Sequence, residues 1–361
     1  MQAAVCRAFG RPLTIEEVSL AEPRAGEVEV EIRACAICHS DITYARGGWG
    51  GELPAVYGHE AAGIVRRTGE GVTELRPGDR VVVTLIRACG HCPACRRGRP
   101  VVCREDLPLD RRVVLHDAMG MPLVQGLRTA AFAERVLVHE SQLAVIPEDM
   151  PLATAALLGC GVLTGVGAVV HTAAVRPGES VVVVGTGGVG LNAVQGARIV
   201  GATRILALDP NPMKREAAVL CGATHTFDPT DPAVVGEVRR LTGGGADWVV
   251  VTAGVPAAFA LAQMLVARGG GLVWVGIPED GGVLPLDPGE IAGDGLRILG
   301  SKMGDVRIRD DIPTLVELWR QGRLLLEPLV SGRYPLARVN EAMAAVERGE
   351  ALRNLLLFEP A

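Results

Sequence analysis

The chain has 361 residues, more than one hydrophobic core usually supports, and at 48% hydrophobic and 21% charged residues it can bury two sizeable interiors. A formal net charge of −5 and a pI near 5.9 leave no electrostatic footprint for nucleic acid. Apolar stretches are interrupted before the ~20 residues of a spanning helix, and the N-terminal "MQAAVCRAFGRPLTIEEV" has no apolar signal core, so membrane association has no support and the expected location is the cytoplasm.

From Met1 to about Pro147 the chain reads as short β-type runs broken by Gly and Pro, among them "EVEVEIRA", "AAGIVRRTG" and "DRVVVTLI", with "RPGDR" at Arg76 to Arg80 as a turn feeding a strand. This is the pattern of an irregular β-rich domain. Within it, "CGHCPACRRGRPVVC" places Cys89, Cys92, Cys95 and Cys103 in one short segment. In a reducing compartment, with an odd total of nine cysteines, such a cluster is a metal site rather than a disulfide framework. Four soft thiolates can close a tetrahedron around one zinc and leave no position for water, which makes this a structural site.

From about Pro151 the texture changes to alternating helix and strand. "SVVVVG", "RILALD", "ADWVVVTAG" and "GGGLVWVG" are continuous apolar strands between helical runs such as "PMKREAAVLCGA", as a parallel sheet covered on both faces requires. After Val181 to Val184 comes "GTGGVG", in which Gly185, Gly187 and Gly190 keep the GxGxxG spacing, and Asp209 ends the next strand. The three glycines permit the tight turn, the approach of a pyrophosphate and close helix packing. The Asp209 carboxylate would accept from ribose hydroxyls and repel a 2′-phosphate, which favours NAD over NADP. From about Asp310, "IPTLVELWRQG" and "NEAMAAVERG" read as helices and "LRNLLLF" as a final strand.

A second set of metal-ligating residues is scattered: Cys38 in "CAICHSD", His59 and Glu60 in "YGHE", and Cys160 in "LLGCGVLTG". Spacing alone does not assemble them. Taken in order with "GHEAAGIV", "PGDRVV", the four-cysteine loop, "GTGGVG" and Asp209, however, the sequence resembles the zinc-dependent alcohol dehydrogenases of the medium-chain dehydrogenase/reductase superfamily over essentially its whole length. The long segment between Cys103 and Cys160 looks most like the long-loop and class III-like (thiol-adduct) branch.

The resemblance implies an α/β protein with a GroES-like β-rich catalytic domain at residues 1–155 and 310–361, and a Rossmann doubly wound parallel-sheet domain at 156–309. It implies two zinc ions per subunit, with Cys38, His59 and Cys160 as catalytic ligands, Glu60 as a transient one, and Asp41 orienting His59. Ser40 is the hydroxyl that bonds the substrate oxygen. His39 and Arg353 match contacts to the cofactor pyrophosphate, and Lys214 one to its adenosine ribose. Thr164, Gly188 and Val189 complete the NAD site. Trp49, Leu85 and Ile277 fall where the family has pocket walls.

Thr43 stands where some members carry a proton-relaying histidine; its hydroxyl can relay a proton through water but, unlike imidazole, cannot take up an extra one near neutral pH, which leaves His39 or ordered water as the exit. The expected reaction is reversible hydride transfer between NAD and an alcohol or aldehyde, most simply a primary medium- or long-chain or aromatic one. Oxidation of a glutathione or mycothiol adduct of formaldehyde is the rival, with Leu107 at the position where class III enzymes carry a cation. A non-catalytic binding protein would have lost ligands, and every one is present here. The family habit for long-loop members is a homodimer, with a tetramer as the alternative.

Overall fold

The computed structural model describes residues 1–279 and 282–359 and divides into two compact units. The first comprises Met1–Cys160, Arg307–Gly322 and the chain from Leu326 onward; the second comprises Gly161–Val306 and Arg323–Leu325.

In the first unit the strands Gln2–Cys6, Thr14–Leu20, Leu115–Asp117, Pro122–Gln125 and Ala55–Val56 close a small barrel. A seven-stranded sheet adjoins it, centred on the long strand Glu27–Ala36. Alternating apolar side chains of this strand, Val28, Val30 and Ile32, enter the core beside Val65, Val81 and Leu137. On one side Glu27–Ala36 pairs with Glu60–Thr68, so that Ala36 faces Glu60; on another it pairs with the C-terminal strand Arg353–Leu357, so that Ala36 faces Leu355. Three strand ends therefore meet just before Cys38, and a residue more than 300 positions away in the chain is brought to the same spot.

The second unit is a six-stranded parallel sheet. Its spatial order is His225–Phe227, Arg204–Leu208, Ser180–Val184, Ala246–Val251, Val266–Trp274, Arg297–Gly300. Ser180–Val184 comes first in sequence and is central in space, which gives the 3-2-1-4-5-6 order of a doubly wound dinucleotide-binding sheet, with its reversal point between Ser180–Val184 and Ala246–Val251. The two central strands are fully apolar from Val181 to Val184 and Trp248 to Val251, and all of these residues are buried. Among the described residues no single helix is long and apolar enough to cross a membrane.

Candidate active site

The helix His39–Arg46 begins at Cys38, whose extended backbone (φ −101°, ψ 152°) makes it the cap residue. Asp41, at the third helical position, accepts from the Cys38 backbone N–H at 3.1 Å through Oδ2, as in a capping box. Its Oδ1 accepts from the Gly58 backbone N–H at 2.9 Å and from His59 Nδ1, also at 2.9 Å. One carboxylate thus fixes the first thiol and the imidazole relative to each other. Gly58 has φ +90°, and a Cβ there would lie 2.5 Å from the Phe132 ring, so the bend leading into His59 needs glycine. Cys160 follows a short turn at Leu157–Gly159; a Cβ on Gly159 would sit 2.7 Å from Glu60 Cα, and this close approach carries Cys160 to the same place.

One ligand atom each of Cys38, His59, Glu60 and Cys160 lies within 4.8 Å of the others, and all four residues are buried. The Cys38 thiol donates toward Ser40 Oγ at 3.7 Å. A hydrogen bond from Cys160, and then the charge of His59, hold the Cys38 thiol well below its ordinary range. Glu60 is pushed up to about 7 by burial, opposed by the charge of Arg353, whose Nη2 donates to Glu60 Oε2 at 2.6 Å. Arg353, expected at the cofactor pyrophosphate, is thus buried at 5% exposure and engaged with Glu60. His59 Nε2 is buried and has no hydrogen-bond partner.

The four-cysteine lobe is built on short elements, a helical turn at Pro93–Arg96 and a 3₁₀ turn at Pro100–Val102. Its four sulfurs also lie within 4.8 Å of one another, with Cys89 to Cys95 and Cys92 to Cys103 both 3.9 Å apart. A tetrahedron with Zn–S bonds of ~2.3 Å has S···S edges of ~3.8 Å, so the spacing fits a four-thiolate zinc. Backbone N–H groups point at the sulfurs: Cys92 donates to Cys89 Sγ (3.2 Å), Cys89 to Cys103 Sγ (3.4 Å) and Cys95 to Cys92 Sγ (3.5 Å). The Cys95 N–H is the main reason the Cys92 thiol is lowered to about 7. All nine cysteines are free of disulfides, and Cys6, Cys35 and Cys221 are buried, as expected of small apolar fillers.

At the sheet's reversal point Gly185 has φ +91°, and a Cβ on Gly190 would fall 1.9 Å from the Gly185 carbonyl oxygen. A Cβ on Gly187 would meet nothing within 4 Å, so this glycine leaves open space rather than relieving a clash inside the protein. Gly188 and Val189 open the helix Gly188–Ile199. Asp209 is 5% exposed and accepts from the Thr186 N–H (2.8 Å) and the Asn211 N–H (2.9 Å), which ties it to the glycine loop. Lys214 is half-buried on the helix Pro212–Cys221, and the hydroxyl of Thr164, itself 6% exposed, donates to Met303 Sδ at 3.6 Å.

Of the remaining expected site residues, His39 is exposed, Ser40 half-buried and Thr43 1% exposed. Trp49 packs edge-on to Tyr44, with ring centroids 5.2 Å apart, and Tyr44 stacks on Tyr57 at 6.0 Å. Leu85 is half-buried, whereas Ile277 is 63% exposed. Leu107 begins the turn at Pro108–Arg111. The sequence reading passed over Arg87. It is 4% exposed, and its one sequence signal is a cation set within the apolar run "VVVTLIRAC".

Comparison with known proteins agrees with this geometry. Residues 24–148 match the alcohol dehydrogenase GroES-like domain and residues 188–321 the zinc-binding dehydrogenase domain. Geraniol dehydrogenase of Castellaniella defragrans is 35% identical over 99% of this chain and 97% of its own length. A zinc-binding-domain alcohol dehydrogenase protein from Burkholderia ambifaria superposes with a TM-score of 0.95 at 37% identity, covering 99% of each chain. Benzyl alcohol dehydrogenase from Acinetobacter calcoaceticus does so with a TM-score of 0.93 at 30% identity, again over 99% of each. A GroES-like unit with two clusters that could hold a metal ion, a Rossmann unit with its glycine turn at the reversal point, and full-length likeness at this level lead to one conclusion: the chain belongs to the zinc-binding alcohol dehydrogenase family.

Proposed function

We propose that this protein is an NAD-dependent alcohol dehydrogenase that interconverts a primary medium- or long-chain or aromatic alcohol and its aldehyde by hydride transfer. Cys38, His59 and Cys160 would hold one zinc, and Cys89, Cys92, Cys95 and Cys103 a second. The observation that carries this reading is the buried meeting of two thiols with an imidazole whose Nδ1 is fixed by Asp41 and whose Nε2 has no hydrogen-bond partner. Two sulfurs and one nitrogen suit zinc and leave a fourth position open. Bound there, zinc supplies a Lewis acid that lowers the pKa of an alcohol hydroxyl and polarises a carbonyl.

The chain's own residues do the rest. Asp41 holds the proton on His59 Nδ1 and so keeps Nε2 as a lone-pair donor. Ser40 Oγ, close to Cys38 Sγ, takes the substrate proton. Thr43 lies three residues on and on the same helical face, so its hydroxyl passes the proton outward toward water, with exposed His39 as the other outlet. Glu60 stays beside the ligands under the hold of Arg353, ready to serve as a transient ligand.

The glycine turn leaves room at Gly187 for a pyrophosphate, and the Asp209 carboxylate accepts from ribose hydroxyls and opposes a 2′-phosphate. Thr164 and Lys214 would complete the NAD contacts, and Trp49, Leu85 and Ile277 are the pocket walls we assign. The names geraniol dehydrogenase and benzyl alcohol dehydrogenase, borne by relatives, support a primary-alcohol substrate. We further read the enzyme as a cytoplasmic homodimer; the free thiols support the first, and an open sheet edge, argued below, the second.

The test follows reduced-nicotinamide absorbance with NAD and with NADP against short, long-chain and aromatic primary alcohols, secondary alcohols, and formaldehyde with glutathione or mycothiol. Turnover of simple primary alcohols with NAD is expected. Activity only with a thiol adduct would move the protein to the formaldehyde-oxidising branch. In Cys38→Ser and His59→Ala turnover should vanish while NAD still binds, and full activity in either variant would defeat the reading.

A further inference from the structure

Leu127, Arg128 and Ala130 all adopt left-handed backbone conformations, at φ of 52°, 59° and 60°. Residues with a Cβ do so only where the surroundings over-determine them. Here the surroundings are a buried polar clamp. The Arg128 carbonyl accepts from Arg87 Nη2 (2.8 Å) and from Gln142 Nε2 (3.1 Å). Arg87 Nη2 also donates to Gln125 Oε1 (3.0 Å), its Nε to Gln142 Oε1 (2.8 Å) and its Nη1 to Asp110 Oδ1 (2.9 Å). Gln125 Nε2 donates to the Thr129 carbonyl at 3.4 Å, and the Thr129 hydroxyl to the Leu127 carbonyl at 3.0 Å.

Both ends of this loop bear on the segment that enters His59. A Cβ on Gly126 would lie 2.5 Å from the Val56 carbonyl oxygen and from the Tyr57 ring. Just beyond the loop, the Ala131 N–H donates to the Gly58 carbonyl (2.9 Å) and the Phe132 N–H to the Tyr57 carbonyl (2.8 Å). Gly58 is therefore gripped from two directions, with its carbonyl on Ala131 and its N–H on Asp41. The next residue is His59.

We propose that Arg87 is a positioning residue for His59: its guanidinium pins the left-handed loop, and the loop fixes Gly58 and hence the direction of the imidazole. A planar fork is needed, since one group must reach two amides, a carboxylate and a carbonyl at once, which an ammonium does not do. The inference rests on the reading of His59 as a zinc ligand.

The experiment is chelator competition for bound zinc, with cobalt-substituted spectra to tell the two sites apart, on the wild type, His59→Ala, Arg87→Met, Arg87→Lys and the double variant Arg87→Met/Arg128→Gly. In Arg87→Met the His59 site should weaken by about 10–100-fold, the usual consequence of losing an outer support of a ligand, while the four-thiolate site keeps its affinity. Arg87→Lys should lose less. Arg128→Gly should recover part of the loss, because glycine adopts the left-handed φ without a clamp. Unchanged affinity in Arg87→Met and Arg87→Lys overturns the proposal, as does equal weakening of both sites or failure of Arg128→Gly to restore any affinity. If Arg87→Met does not fold, Arg87→Lys decides by the same criteria. A wild type from which His59→Ala removes no metal would overturn the zinc reading itself and the proposal with it.

Discussion

Asp41 holds three donors with two oxygens: the N–H groups of Cys38 and Gly58 and the imidazole of His59. In Asp41→Asn one oxygen becomes an NH₂ that faces an N–H, so at least one of the three is left without an acceptor. The expected outcome is a fall of about 10–100-fold in zinc affinity at the Cys38–His59–Cys160 site, measured by chelator competition, with a matching loss of kcat at limiting zinc. Unchanged affinity would mean that the thiols alone set the site. Asp209 makes a second residue-scale prediction. Asp209→Gly removes the repulsion of a 2′-phosphate, and the NADP-to-NAD ratio of kcat/KM should rise about tenfold or more, like-charge contacts costing over 1.4 kcal/mol. Because Asp209 also accepts from the Thr186 N–H, activity with NAD should fall in the same variant. Cys38 and Asp41 became candidates through the family resemblance that "CHSD" helps to carry, and Asp209 through its place at the end of the strand after the glycine motif. Arg87 was not legible: its partners Asp110, Gln125, Arg128 and Gln142 lie 23 to 55 residues away, and no local pattern joins them.

At the scale of elements, the four-cysteine lobe has little apolar core of its own, since its cluster consists mainly of the cysteines with Ala88 and Ala94. Under the proposed zinc assignment, metal ligation supplies what packing does not. Cys95→Ser should lower the thermal midpoint and remove one equivalent of zinc, read by thermal scanning and metal analysis; a variant that keeps both zincs and its full stability would refute the structural assignment. The strand Glu27–Ala36 shows where element-level reading runs out. Alternation in "EVEVEIRA" marks a strand with one polar face, yet Glu27, Glu29 and Glu31 are at most 4% exposed. Arginines from other elements cover them, with Arg112 on Glu27 (2.5 Å), Arg135 on Glu29 (3.0 Å) and Arg66 on Glu31 (3.1 Å). The barrel carries a more exposed version of the same device. Arg7 bridges Glu16 (2.6 Å) and Asp117 (2.9 Å), and its hydrogen bonds are the main reason both carboxyls lie below their ordinary range. Carboxyls depressed on folding stabilise fully above their unfolded pKa values, and that contribution is lost as pH falls through the folded ones. The thermal midpoint of Arg7→Met should thus lie below the wild type near pH 7, with the gap closing below about pH 4.5. A gap that stays constant to pH 3 would show that Arg7 acts by packing alone.

For the whole molecule, the parallel sheet could be read from sequence because its four inner strands each carry a continuous apolar run and are each followed by a helix, whereas the edge strands His225–Phe227 and Arg297–Gly300 carry no such run. The return of the C-terminal strand to Glu27–Ala36 could not be read from local pattern, because nothing near residue 353 encodes a partner near residue 35; only the family resemblance joined the two ends. The order of the second sheet has a consequence for assembly. One edge is the strand Arg297–Gly300, in which Ile298 and Leu299 are half-buried, and in the same unit Val283 is 93% and Leu286 39% exposed. The opposite edge, His225–Phe227, has three residues and is followed by Asp228, paired with Arg215 at 3.5 Å. An open apolar edge favours pairing, whereas a short edge beside charges discourages it. Two copies joined through Arg297–Gly300 would make a self-complementary two-fold contact that continues the sheet and closes after two subunits. Sedimentation of the wild type should therefore give about twice the chain mass of 37.8 kDa, and Leu299→Glu should shift it to monomer. Both metal-ligating clusters lie in the other unit, so Leu299→Glu should retain its zinc content. A wild type that is monomeric at micromolar concentration, or a Leu299→Glu variant that remains dimeric, would rule this edge out as the interface.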